Sequence, residues 1–184
     1  MTDSLLDLIR RRRTVRRFTE ERVSDAQLDA LVELAMCAPT RLNRQPWHFV
    51  IIRDKALQQG LAELLRIHPY IEQASALIAV CGVPGASSTW LMDVSAATEN
   101  LLLAATAMGL GAAWIGAPDT TLWNMLEDHL HDTLRIPLDV RIPILVAVGH
   151  PDENPPAHGR HDRYDPLKVH HGVWGNVARD ISKD

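Results

Sequence analysis

Cysteine is scarce: Cys37 and Cys81 are the two in 184 residues, which excludes a disulfide scaffold. Their flanks, Ala-Met-Cys-Ala and Ala-Val-Cys-Gly, read as buried small apolar positions, and neither has the electropositive, exposed setting of a nucleophile. Net positive charge is missing too. A formal charge of −4 argues against a dedicated nucleic-acid binder, whose footprint is basic overall. The longest apolar stretch, around Leu101–Ala107, is far short of the roughly 20 residues that a membrane helix needs. Acidic and then basic residues interrupt the leucines after Met1, so no secretory segment is expected and a cytoplasmic protein is the default. There is no internal repeat, no low-complexity tract and no Gly-x-Ser-x-Gly elbow. With 46% hydrophobic and 23% charged residues the composition is that of one globular domain, not of a disordered chain.

Against that background, Arg10-Arg11-Arg12-Arg13-Thr14-Val15-Arg16-Arg17-Phe18 gathers six arginines into nine residues. Guanidinium stays protonated at any physiological pH, so such a run is costly unless an anion relieves the repulsion. A cofactor phosphate, a nucleic-acid backbone or plain counter-ions would each serve. Arg10 and Arg11 also suit the last turn of a short helix predicted over Asp3–Arg13 from Leu5, Leu6, Leu8 and Ile9. Extended backbone after Thr14 would turn Arg17 away from Arg16.

Further along, Ser24 with Gln27 forms a capping box that opens a helix through Met36, ending at Ala38-Pro39. A polar loop, Thr40–Pro46, leads to a strand at Trp47–Ile52. Asp54 can cap a helix to about Ile67, and Ala76–Gly82 is a second strand. The longest helical pattern runs from Ser87 or Ser88 to Met108 and is apolar almost all round, so it should be buried on most sides. Gly109 closes it as a left-handed residue. Ala112–Ile115 is a short strand, Asp119 opens a helix to about Leu130, and Arg141–Gly149 is a strand of buried type. Residues 151–184 hold Pro151, Pro155, Pro156 and Pro166 and few aliphatics; they cannot build a core alone and must be disordered or lie along another surface.

Chemistry-bearing side chains are thin on the ground. Gly109-x-Gly111-x4-Gly116 follows a helix and precedes a strand, the reverse of a dinucleotide fingerprint. His158, His161, His170 and His171 lack the paired clusters of a zinc site, so no metal is expected. Asp93 and Glu99, on the long helix, are expected to be structural and partner-satisfied. Neither a protein nucleophile nor a general base stands out. An anion cradle, glycine-lined backbone at Trp114-Ile115-Gly116-Ala117 and no catalytic side chain together suit an enzyme whose bound cofactor does the chemistry.

Four blocks carry a family resemblance. Arg12-Arg13-Thr14-Val15-Arg16-Arg17-Phe18 resembles the Arg-Arg-Ser/Thr-x-Arg-x-Phe opening of the FMN-dependent nitroreductase family. Ala38-Pro39-Thr40-Arg41-Leu42-Asn43-Arg44-Gln45-Pro46-Trp47 is similar to its Ala-Pro-Ser-x-x-Asn-x-Gln-Pro-Trp loop. Asp93 through Gly116 resembles its central helix and the turn after it. Val169–Trp174 is a degraded form of its Val-His-Tyr-Asn-x-Trp tail. Two departures stand out: Glu99 replaces a frequent Gln, and Gly172 replaces Asn. The chain is also short between Ile52 and Ala76 and between Leu130 and Arg141, where the family builds its substrate-channel walls.

The resemblance implies a three-layer α+β fold, with a central mostly antiparallel sheet flanked by helices. It implies a single domain over residues 1–184, of which 151–184 would be an extended arm on the partner subunit of a homodimer, with FMN at the interface. Arg12, Arg13, Thr14 and Arg16 would hold the phosphate and ribityl chain, completed by Arg160 or Arg163. Thr40, Arg41, Asn43 and Gln45 would contact flavin, in part from the partner. Trp114, Ile115, Gly116 and Ala117 would bring bare backbone to the ring near its reacting N5, with Gly116 and Ala117 nearest the chemistry. The implied activity is a ping-pong oxidoreductase: NADH or NADPH donates hydride to FMN, and a small electron-poor acceptor, such as a nitroaromatic or quinone, then takes it. The alternatives are a specialised member that destroys flavin or removes halogen, a flavin binder without turnover, and a nucleic-acid module that uses the arginine run.

Overall fold

A computed structural model describes residues 4–66 and 69–177. Its helices are α1 (Leu5–Arg11), α2 (Asp25–Met36), α3 (Lys55–Leu65), α4 (Tyr70–Gln73), α5 (Trp90–Ala107), α6 (Thr121–Leu134) and α7 (Arg160–Arg163). The strands are β1 (Trp47–Ile52), β2 (Ala76–Gly82), β3 (Gly111–Ile115) and β4 (Arg141–Gly149). They form one sheet in the order β1-β2-β4-β3, antiparallel throughout.

The two central strands are apolar on both faces because both are covered. Leu77, Ala79 and Cys81 of β2 and Leu145 and Ala147 of β4 pack with Leu61, Leu65, Ile71, Trp123, Leu126 and Leu130 of α3, α4 and α6. Ala76, Ile78, Val80, Ile144, Val146 and Val148 pack with Leu28, Leu31, Val94, Ala97 and Leu101 of α2 and α5. The result is three layers, as the family resemblance implies.

Helix starts follow local hydrogen bonding. Ser24 accepts from Gln27 N–H (3.2 Å) while Gln27 Oε1 accepts from Ser24 N–H (2.9 Å), the expected box. Asp54 caps α3 through Leu57 N–H (3.0 Å). That helix ends at Leu65, with Arg66 left-handed; the expected end at Ile67 lies outside the described residues. Two starts differ from expectation. Thr120, not Asp119, caps α6, because Asp119 adopts φ 65° and turns its carboxylate to Arg141. The long helix begins at Trp90, because the Ser87 hydroxyl donates to Asp93 instead of opening a helix. The four-residue helices α4 and α7 are too short to show a period. Gly109, at φ 72°, closes α5 as expected.

Cys37 departs from its expected burial. It stands past the buried stripe Leu28–Leu31–Ala35 of α2, at the helix end, and is exposed; Cys81 is buried. The C-terminal stretch also has an observed course. Residues 150–158 run antiparallel along residues 10–19 of the same chain, with a one-residue shift of register toward Arg10. Thr19 N–H donates to His150 O, Asp152 N–H to Arg17 O and His158 N–H to Arg10 O, each at 2.9 Å. Residues 178–184 of the expected arm lie outside the described residues.

Candidate functional site

The arginine segment is tied to the sheet by its two apolar residues. Val15 and Phe18 are buried, and both sit where a strand lacks a side chain. A Cβ on Gly111 would meet Val15 at 2.7 Å, and one on Gly149 would meet Phe18 at 2.7 Å. Each anchor contributes on the order of 1.5–3 kcal/mol by burial. Thr14 pairs with Ala112 of β3 in parallel, and Val15 N–H donates to Ala112 O (3.0 Å). On the other side, the Glu153 carboxylate accepts from the N–H groups of Arg16 and Arg17. The segment is therefore an extended ribbon between β3 and residues 150–158.

That placement sorts the arginines. Arg12, Arg13 and Arg163 gather around His158. Arg163 Nε donates to His158 Nδ1 (3.2 Å), Arg13 donates to the Pro156 carbonyl, and Arg12 Nε lies 3.4 Å from Glu99 Oε1. Local desolvation and the charges of Arg163, Arg13 and Arg12 hold the His158 imidazole below the usual histidine value, against a small opposing pull from Asp162. Arg16 points elsewhere, with its guanidinium 5.8 Å from the centre of the Tyr70 ring on α4. Burial raises the Tyr70 phenol above its ordinary value, and the hydrogen bond and charge of Arg16 pull the other way. Arg160 stacks over Tyr164 at 4.3 Å. Arg10 pairs with Asp7 on α1 (3.3 Å), and Arg17 turns to Glu153 and the Asp152 carbonyl.

The turn after β3 is exposed at Trp114, Gly116 and Ala117, while Ile115 is buried. Thr120 Oγ1 donates to Ala117 O (2.8 Å), which makes the turn compact. Arg141 Nη2 reaches Asp119 (3.3 Å), and Arg141 is itself gripped by the buried Glu127 at 2.9 and 3.0 Å. Glu127 also raises the Arg141 value, chiefly through that hydrogen bond.

The Thr40–Gln45 loop is backed by α5. Buried Asp93 accepts from the Arg41 N–H (3.4 Å), the Ser87 hydroxyl (2.7 Å) and the Thr89 hydroxyl (3.2 Å), so its structural role is as expected. Arg41 Nη1 donates to Ser88 (2.9 Å), Gln45 N–H to Thr40 Oγ1 (3.1 Å) and Gln45 Nε2 to Asn43 Oδ1 (3.0 Å). Leu42, Asn43 and Gln45 all have positive φ, a concentration of left-handed backbone that costs energy and is typical of ligand-contact loops.

Trp47 opposes Gly82, Gly82 opposes Arg141, and Ile115 opposes Leu145, so this loop and the turn after β3 emerge at the same end of the sheet. They emerge at opposite edges. Three strand spacings separate them, roughly 14 Å. The structure thus joins Thr14, Arg12, Arg13 and Arg163 to the strand that carries Trp114–Ala117, and it leaves Thr40, Arg41, Asn43 and Gln45 apart from them within one chain. Sequence reasoning weighed His158 only as a zinc ligand and did not single out Glu153; neither belongs to a local pattern that could have flagged it. Among the described residues no three metal-ligating side chains come together.

Fold and site together define a three-layer α+β protein with a basic cradle beside an edge strand. The family model described as Nitroreductase family matches residues 9–83 and 82–150. The chain belongs to the nitroreductase family. It is 32% identical, over 94% of its length and 99% of the relative's, to a provisionally named NADH dehydrogenase/NAD(P)H nitroreductase of Archaeoglobus fulgidus. A protein of the same provisional name from Parabacteroides distasonis has a crystal structure that superposes with a TM-score of 0.85 at 31% identity, covering 92% of this chain and 98% of that one. A provisionally named nitroreductase from Desulfovibrio desulfuricans, solved in complex with FMN, superposes with a TM-score of 0.75 at 32% identity, covering 87% and 93%.

Proposed function

We propose that this chain is an FMN-dependent NAD(P)H oxidoreductase that reduces an electron-poor acceptor, a nitroaromatic or quinone, as a homodimer in the cytoplasm. One observation carries the reading. The cluster of Arg12, Arg13 and Arg163 lies beside Thr14, and Thr14 is paired to the strand that ends in the exposed Gly116-Ala117 backbone. From Ala112 to Gly116 the strand advances roughly 13 Å, on the scale of a ribityl phosphate. The donors fit the group: guanidinium forks and a short hydroxyl suit a dianionic phosphate, and a glycine-containing turn suits a flat ring.

When bound, FMN supplies the redox chemistry, accepting hydride from NADH or NADPH and passing it to the acceptor in a second half-reaction. The chain's own residues bind and orient. Arg12, Arg13 and Arg163 would neutralise the phosphate and the Thr14 hydroxyl would donate to it; Arg160, stacked on Tyr164, is the less favoured partner. Arg16 joins them only if it leaves Tyr70. The Trp114, Ile115, Gly116 and Ala117 backbone would lie against the ring, where fixed dipoles would stabilise developing charge. No side chain is assigned as catalytic, and no metal is required.

Two features support the homodimer. Thr40, Arg41, Asn43 and Gln45 sit across the sheet from Gly116, so they reach a flavin most simply from a partner chain. The apolar side of α1, with Leu5 and Leu6 each 65% exposed, and Met92 of α5, 74% exposed, lack cover in one chain. No helix of the described residues is long and apolar enough to cross a membrane.

The test is spectroscopic. Purified protein should show oxidised-flavin bands, or acquire them on loading with FMN, and should bleach anaerobically with NADH or NADPH. A protein that cannot be loaded overturns the proposal. A loaded protein that no nicotinamide bleaches is a passive binder. Electrons passed to a halogenated substrate, but to no nitroaromatic or quinone, would indicate the specialised alternative. A flavin-loaded monomer in sedimentation overturns the shared site.

A further inference from the structure

Among the described residues, one carboxylate forms an ion pair with an arginine of the basic cluster. Arg12 is the C-cap residue of α1 and its side chain is 22% exposed. Its Nε lies 3.4 Å from Oε1 of Glu99, which projects from α5 and is 49% exposed. Arg12 therefore keeps an engaged Nε edge while its two Nη groups remain the fork available to a phosphate. The other side chains gathered here, Arg13, Arg163 and His158, are cationic or can become so, and the charge of Asp162 acts on His158 in the opposite sense to the arginines. A carboxylate in this position does two things at once: it aims the guanidinium, and it places a negative charge within a few ångströms of where a phosphate dianion would sit. In a partly desolvated setting that repulsion is weakened by water less than at an open surface.

We propose that Glu99 is a counterweight to the cofactor phosphate, a positioning residue that orients Arg12 and at the same time lowers the affinity for FMN. The inference rests on the reading of Arg12 as a phosphate ligand. The test separates the charge of Glu99 from its shape, because Glu99→Gln keeps nearly the same side-chain size and removes the charge. Gln suits a half-exposed helix position as well as Glu does, so the variant should fold.

The experiment titrates flavin-stripped wild type and Glu99→Gln with FMN and with riboflavin, which shares the ring and ribityl chain but lacks the phosphate. The expected result is tighter FMN binding by Glu99→Gln, about 3–10-fold, with riboflavin affinity unchanged and the FMN gain shrinking as salt is raised. FMN affinity that is unchanged or weaker overturns the counterweight. Equal tightening toward both flavins also overturns it, since that reports altered structure and not charge. Failure of both proteins to bind either flavin is a different outcome: it removes the FMN reading, and the proposal falls with it.

Discussion

A Cβ built on Gly116 would stand 2.8 Å from the carbonyl oxygen of Pro143. The turn after β3 therefore lies flat against the start of β4, and only a hydrogen fits between them. Gly116→Ala must push residues 115–117 away from β4. We expect weaker flavin binding and a loss of at least about tenfold in the rate of flavin reduction, since small misplacements of a positioned group are that costly. Gly85→Ala, where nothing lies within 4 Å, should behave as wild type. Stopped-flow bleaching by NADH of both variants is the measurement; equal rates would remove the bare-backbone contact.

Arg163 and Arg160 are three residues apart but face different neighbours, His158 and Tyr164. Arg163→Ala should lose about 1.5–3 kcal/mol of FMN binding, or roughly one to two decades in Kd, and Arg160→Ala much less. Fluorescence titration of the two variants decides the assignment, and the reverse order would exchange the roles. Arg16→Ala in the same series asks whether that side chain exchanges Tyr70 for phosphate; unchanged affinity would take it out of the site.

His158 gives the site a pH dependence. Its imidazole titrates below the usual histidine value through local desolvation and the charges of Arg163, Arg13 and Arg12. A bound phosphate dianion favours the protonated ring, so binding takes up a proton and this contribution to affinity is lost as pH rises through the histidine range. The phosphate's own second ionisation acts in the opposite direction but equally on any variant. The ratio of FMN affinities, wild type over His158→Gln, should therefore fall between about pH 5.5 and 8. A flat ratio would place His158 outside the phosphate's field.

The thiols should separate cleanly. Burial, with a smaller push from Glu127, raises Cys81 to about 12, whereas Cys37 is exposed at the end of α2. Native protein should react with one equivalent of a thiol reagent near pH 8 and denatured protein with two. Rapid labelling of both native thiols would contradict the buried position of β2.

Glu127 should matter to stability more than any surface acid. It is buried, accepts from Arg141 at 2.9 and 3.0 Å and also holds the Ile142 N–H. Arg141 is partly exposed, at 34%, so Glu127→Ala should cost about 2–3 kcal/mol, below the loss expected for a fully buried pair. Urea unfolding measures it. A cost near that of Asp7→Ala on α1 would mean the pair contributes little.

Much of this was legible because it is local. The capping box at Ser24, the Asp54 cap, the largely apolar α5 and the continuously apolar β2 and β4 rest on residues within four positions of one another, or on short runs of neighbouring apolar residues. So does the recognition of the family blocks, and the family match covers the first three of them, while the Val169–Trp174 block lies beyond it. Asp119 shows where local reasoning stops. Its type suits a cap, but a long-range bond to Arg141 claims it and Thr120 caps instead. Cys37 shows it again, since small apolar flanks say nothing about which way a helix end faces.

The sequence alone determined that this chain holds a concentrated cationic segment, a glycine-containing turn after a short strand, and the blocks of a nitroreductase. Which arginines act together was decided only in three dimensions. Val15 over Gly111 and Phe18 over Gly149 dock the ribbon on β3 and β4, and residues 150–158 return along its other edge to bring Arg163 beside Arg13. Those pairings join positions more than ninety residues apart in the chain, through strand order and close packing that no local period encodes.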